Sequence, residues 1–207
     1  MNHSVLPNAD SNVVRALRRW RFVASVAVLG ALLQLGGAPL QLWARYEPAA
    51  FDDFQLWRLV TAHLVHLGWG HLGLNLAALV LIDLLFEDVL GSLEWALAAI
   101  VSGLAIDAGL YVLDPAVQWY VGLSGVLHGL VACGTWELLR RRSSIGSLLA
   151  IGLSAKLIWE QWWGPVPLTA SSVGGPVVVA AHLYGATGGT LVALGFALAR
   201  RRNAAPR

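Results

Sequence analysis

Cysteine is almost absent: Cys133 is the one such residue in 207. An internal disulfide and a thiolate metal cage are therefore both excluded. Cys133 itself lies in an apolar run and reads as a small buried hydrophobe. Charge is equally scarce. Asp, Glu, Lys and Arg make up 13% of the chain, where a soluble domain carries about 25%. So little charge cannot cover a globular surface in water. With 57% apolar residues and a mean hydropathy of +0.64, the solvent is lipid. No repeat and no low-complexity linker interrupts the chain, so one membrane domain accounts for nearly all of it.

What is abundant is long apolar sequence. Stretches near the roughly 20 residues that cross a bilayer fall at Phe22–Trp43, Trp69–Phe86, Leu93–Leu113, Leu123–Leu139, Ser147–Trp163 and Val177–Ala199. The first contains a small-residue patch, Gly36–Pro39, that a signal peptide would also show. It runs longer than an h-region and reads as a retained anchor. Arg15, Arg18, Arg19 and Arg21 precede the first stretch, Arg140–Arg142 follow the fourth, and Arg200–Arg202 follow the sixth. Six spans put all three basic clusters on one side, and the positive-inside rule makes that side cytoplasmic, with both termini there. The expected organisation is an all-α membrane protein with a cytoplasmic N-terminal segment (1–21), a six-helix domain (22–199) and a basic cytoplasmic tail (200–207). The opposite side receives a long first loop, Ala44–Gly68, whose "FDDFQLWRLV" reads as an interfacial helix. It also receives Asp114–Gly122 and the Gly/Pro-rich segment Gly164–Pro176.

Polar residues inside such spans are costly and functional by default. At about 1.5 Å per residue, Ser124 lies roughly 24 Å from the basic end of its span, His182 roughly 27 Å, and His71 roughly 24 Å from the end of its own. Three polar groups on three helices thus share one level. Beside two of them run GxxxG patterns, "GVLHG" at Gly125–Gly129 and "GATGG" at Gly185–Gly189, which let helix backbones approach closely. Such an approach brings the Ser124 hydroxyl to the His182 imidazole, the minimal nucleophile–base pair for acyl transfer. In "HLVHLGWGHLGLN", His71 and Asn75 stand four apart and share a helix face. With the backbone N–H of Ser124 they are candidate donors to an oxyanion, worth about 3–4 kcal/mol each.

Taken together, these residues resemble a rhomboid intramembrane serine protease over roughly Trp57 to Arg200. "WR" at Trp57–Arg58 resembles the family's first-loop motif, and "HLGWGHLGLN" its second-span histidines and asparagine. "GLSG" at Gly122–Gly125 matches GxSG, and "HLYGATGG" from His182 matches HxxGxxxG. The resemblance implies a catalytic pair, Ser124 and His182, without an acidic third partner. His71 and Asn75 would stabilise the oxyanion, and Gly122, Gly185 and Gly189 would support the site. Many rhomboids have a tyrosine four residues after the serine; here it is His128, which could stack, donate or simply be core. "GLSGVLHG" resembles the rhombosortase subfamily. That likeness implies a bacterial inner-membrane enzyme with its active site facing the periplasm. Its partners would be the lipid bilayer and transmembrane substrates with C-terminal Gly-Gly sorting tails; no nucleic acid, cofactor or metal is implied.

Other readings attach to particular residues. Asp107 can be an acid partner or an interhelical bond, and Lys156 with Glu160 forms a self-neutralising pair one turn apart. His63, His66, His71, His128 and His182 admit a metal- or haem-binding membrane protein, although no acidic base of the HExxH kind accompanies them. A rhomboid-like protein that binds client helices without cutting is the other alternative. Gly164–Pro176 is the expected cover of an outward-opening cavity. Trp159, Trp162 and Trp163 read as a side gate or as interfacial anchors.

Overall fold

Helix formation follows the apolar stretches closely, with one exception at the start. The computed structural model describes residues 9–167 and 174–204. The first helix, α1 (Ala9–Leu35), ends at a glycine pair, and Gly37 takes φ +61. Left-handed backbone of this kind suits glycine. Beyond it α2 (Gly37–Ala44) departs at 119°. The expected continuous span Phe22–Trp43 is therefore two helices, and the small-residue patch is its corner. Four further helices match the sequence reading to within about three residues at either end, the usual uncertainty of helix boundaries. They are α4 (Trp69–Leu85), α5 (Ser92–Val112), α6 (Ser124–Arg140) and α7 (Ser144–Trp163). The last, α8 (Ala180–Ala204), begins three residues later than expected and extends into the basic tail.

Among the described residues, Ser92–Val112 and Ala180–Asn203 are each long and apolar enough to cross a membrane. The bent pair adds a third if it is taken as one span. Helices α4 and α6 stop at 17 residues each, and α7 carries Lys156, Glu160 and Gln161 in its second half.

The first loop is not the interfacial helix that its sequence suggests. A 3-10 turn at Pro48–Phe51 and a single helical turn, α3 (Arg58–Thr61), are separated by Phe54 at φ 57. What organises this loop is Arg58, which is buried. Its guanidinium donates to the Leu42 carbonyl (2.9 Å), the Arg45 carbonyl (2.7 Å) and Gln55 Oε1 (2.8 Å). Trp57 stacks on Trp43 with centroids 5.2 Å apart and donates its indole N–H to the Trp43 carbonyl. Tyr46 and Tyr120 then exchange backbone hydrogen bonds of 3.0 and 3.1 Å, fastening the loop beside the start of α6.

At the centre, α6 packs on α8 with backbone against backbone. A Cβ on Gly125 would stand 2.8 Å from the Ala181 carbonyl oxygen, and one on Gly129 2.6 Å from that of Gly185. Side chains on Gly185 and Gly189 would in turn run into the carbonyls of Gly125 and Gly129. The basic end of the bundle is tied by charge. Glu137 accepts from Arg140 (2.8 and 2.9 Å), Arg141 (3.1 Å) and Arg200 (2.8 Å). Arg200 also pairs with Glu94, whose other oxygen caps α5 at the Gly91 N–H (2.8 Å). Phe22 of α1 meets Trp95 edge-on at 6.3 Å, so α1 passes this end as well.

Because close-packed interiors resist added volume, Gly185→Ala should lower stability by about 1–3 kcal/mol. Gly195→Ala, whose methyl would meet open space, should not lower it. Thermal unfolding of both variants in detergent checks this, and equal melting curves would contradict the packing account.

Candidate active site

Every residue of the site is delivered by a local feature of the chain. Gly122, at φ +122, turns the backbone into α6 and donates its N–H to the Ala62 carbonyl at 2.9 Å. Ser124 is the first residue of α6, and His182 lies in the first turn of α8. The glycine contact brings Ser124 Oγ to 3.0 Å from His182 Nε2. Both face a cavity of about 680 Å³, whose wall is mostly apolar and also includes His71, Asn75, His128 and Lys156.

Donor and acceptor roles follow from the neighbours, since a carbonyl can only accept and a backbone N–H can only donate. His71 Nδ1 accepts from the Leu67 N–H at 3.4 Å, so its neutral ring carries the proton on Nε2. That nitrogen lies 3.1 Å from where a Cβ on Gly122 would stand. Gly122 thus has two reasons to be glycine, its φ and the ring against it. One helical turn along, the Asn75 amide nitrogen is buried and has no protein partner. An unsatisfied buried donor costs about 1–3 kcal/mol, and this one belongs to a residue on the cavity wall. His71 and Asn75, the predicted oxyanion donors, therefore both reach the Ser124 cavity with an N–H to give.

His128 stacks on His182, with rings 4.1 Å apart and 15° from parallel. Its Nδ1 donates to the Ser124 carbonyl at 2.7 Å. Stacking and donating, left as alternatives by the sequence, occur together.

One residue departs from the expected pattern. His182 Nδ1 lies 2.8 Å from Glu160 Oε2, and Glu160 is buried on α7. The resemblance implies a serine–histidine pair with no acidic partner; here a carboxylate touches the imidazole. Glu160 also bonds Lys156 Nζ at 2.5 Å, so the expected pair forms but is not self-contained. The i, i+4 spacing announced the Lys156 contact, whereas nothing in the sequence says which way α7 turns its second carboxylate oxygen. Asp107 is not that partner: its Oδ2 lies 3.4 Å from Nε2 of His63, which sits in the turn after α3, so it ties α5 to the first loop rather than to another helix.

The histidine-rich reading finds little focus. His63 pairs with Asp107, and His66 Nδ1 donates to the Leu64 carbonyl at 3.0 Å. Among the described residues, His128, Glu160 and His182 do bring ligand atoms within 4.8 Å of one another. Those side chains are already hydrogen-bonded to Ser124, to Lys156 and to each other. A cation there would also sit beside the Lys156 ammonium. This donor set fits a hydrogen-bonded network better than a metal.

The expected cover, Gly164–Pro176, is described only in part, because residues 168–173 lie outside the described residues. Its far end reaches the site, where Pro176, Val177 and Val178 line the cavity. Trp159, Trp162 and Trp163 are exposed.

Residues 53–200 match the family model for the Rhomboid domain. The chain belongs to the rhomboid family. Its members are generally serine proteases acting on transmembrane substrates within the bilayer. A relative is the Bacillus subtilis (strain 168) protein named "Putative rhomboid protease YdcA", 31% identical over 139 residues. The alignment covers 66% of this chain and 65% of that protein. The matched rhomboid segment contains Arg58, His71, Asn75, Ser124, Glu160 and His182.

If His71 and Asn75 hold the developing oxyanion, His71→Ala and Asn75→Ala should each lower kcat by about 10²-fold with KM little changed. Turnover per folded molecule on a transmembrane reporter measures this. Normal turnover with impaired folding would mark both as packing residues.

Proposed function

We propose that this rhomboid is an intramembrane serine endopeptidase that cleaves membrane-anchored proteins near the outer face of the membrane. The observation that carries the reading is the 3.0 Å contact between Ser124 Oγ and His182 Nε2 on the wall of an apolar cavity. Ser124 is the nucleophile and His182 its base. The Ser124 proton passes to Nε2 as Oγ bonds the scissile carbonyl carbon. The carbonyl oxygen, now negative, is met by His71, Asn75 and the Ser124 backbone N–H. The imidazolium then returns its proton to the departing amine, and water releases the acyl group by the same steps. The fold reading that accompanies this is six spans, with α1, α4, α5, α6, α7 and α8 crossing the bilayer. Both termini are then cytoplasmic, and the site opens to the periplasmic side of a bacterial inner membrane. Three basic clusters support that orientation.

For substrate, we infer exported proteins with C-terminal sorting tails that contain Gly-Gly. A helix entering the site must unwind, because its carbonyls are already hydrogen-bonded. Glycine costs a helix about 1 kcal/mol relative to alanine, so a Gly-Gly pair extends readily. Its lack of side chains lets the substrate backbone approach a serine set between helices. Basic residues at the end of the tail would hold it in the cytoplasm and set its depth.

Co-expression of a Gly-Gly-tailed reporter with the wild type and with Ser124→Ala tests both levels. The wild type should generate a new C-terminus, mapped by mass spectrometry at or beside the glycines, and Ser124→Ala should generate none. Replacing the glycines by leucines should cut cleavage by at least about tenfold. Equal cleavage of the leucine reporter would overturn the specificity, and cleavage by Ser124→Ala would overturn the enzyme.

A further inference from the structure

A glutamate inside a membrane helix is costly unless its charge is met. Glu160 could meet that cost at the helix surface, where Lys156 is one turn away and about a third exposed. Instead its side chain is wholly buried and turned toward α8. One carboxylate oxygen receives the Lys156 ammonium, and the other receives His182 Nδ1. His182 is thereby held on three sides, by Glu160 at Nδ1, by Ser124 at Nε2 and by the parallel ring of His128 on its face.

We propose that Glu160 is a positioning residue for His182, with Lys156 as the group that fixes its orientation. The proposal rests on the reading of Ser124 and His182 as nucleophile and base. A carboxylate can only accept, so the proton of the neutral His182 ring sits on Nδ1. The lone pair is then on Nε2, facing the Ser124 hydroxyl. When the Oγ–H bond breaks, its proton forms the second N–H of an imidazolium, and the positive charge develops against the Glu160 carboxylate. When the scissile C–N bond breaks, the Nε2 proton goes to the amine and the ring is neutral again. Glu160 exchanges no proton in either step. This is the arrangement of a serine–histidine–carboxylate triad, assembled from three membrane helices.

Lys156 makes the proposal unusually testable. An ammonium can only donate, so in Glu160→Gln it draws the amide oxygen to itself and turns the amide NH₂ toward His182. The imidazole must then accept at Nδ1 and carry its proton on Nε2, where it cannot take one from Ser124. Glu160→Gln should therefore lose about 10³–10⁴-fold in kcat, as amide-for-carboxylate exchange does in a triad, with KM within about twofold. Adding Lys156→Met frees the amide to turn its oxygen to Nδ1–H, so the double variant should regain at least about tenfold over Glu160→Gln alone. That is a sign of coupling which independent losses of stability would not give.

The decisive readout is the ring itself. Wild-type protein carrying ¹⁵N-histidine in a lipid bilayer should show His182 protonated at Nδ1 and bare at Nε2, assigned by difference against His182→Gln. In Glu160→Gln the pattern should invert. Wild-type His182 protonated at Nε2 overturns the proposal even if Glu160→Gln does not fold. Glu160→Gln with wild-type kcat also overturns it, and leaves the protease reading intact so long as Ser124→Ala is inactive. Cleavage by Ser124→Ala would remove the reading on which the proposal stands.

Discussion

Two helix backbones in contact make the rest of this structure possible. Where α6 crosses α8, four glycines each turn the place of a missing Cβ toward a carbonyl of the facing helix, and the Ile106 and Ser102 side chains of α5 close against Gly125 and Gly129. That backbone contact sets the register of the two helices, with Ser124 Oγ at the start of one 3.0 Å from His182 Nε2 at the start of the other. The same approach brings the end of α8 toward α6 at the opposite pole, where Arg200 reaches Glu137. In lipid no hydrophobic force drives helices together. Backbone packing and this ionic knot hold the helices instead.

Around that crossing the polar groups form a directed chain. The Leu67 N–H sets the proton of His71 on Nε2, and the Ser124 carbonyl sets that of His128 on Nδ1. Lys156 and Glu160 set that of His182 on Nδ1. Each ring presents one defined nitrogen: His71 offers an N–H, while His128 and His182 each carry a lone pair on Nε2. Preorganisation of this kind removes the cost of reorienting dipoles at the moment of reaction. The Arg58 cluster serves the same end from outside, by fixing the first loop and, through Tyr46 and Tyr120, the approach to Gly122.

Much of this was legible in the sequence because it follows from one-dimensional spacing. Counting residues along spans put Ser124, His182 and His71 at one level, and the i, i+4 rule put Asn75 beside His71. Both GxxxG patterns marked the faces that touch. What was not legible depends on rotation and on turns. Nothing along α7 says that Glu160 rather than Lys156 faces α8, because that depends on how α7 rolls against its neighbours. The glycine pair before Pro39 read as a small-residue patch within one retained span, and its effect is to bend that span by 119°. "FDDFQLWRLV" has helical composition, but the buried Arg58 binds one oxygen of α2 and two of the first loop, and the segment follows those bonds instead.

The central claim is that glycine-mediated contact between α6 and α8 activates Ser124 through His182. Labelling by a serine-reactive phosphonate in a lipid bilayer, with the adduct mapped by mass spectrometry, tests it most directly. The account predicts a single adduct on Ser124, lost in His182→Ala and slowed in a Gly185→Val protein that still folds. Equal labelling without the imidazole, or with the helices forced apart, would contradict it.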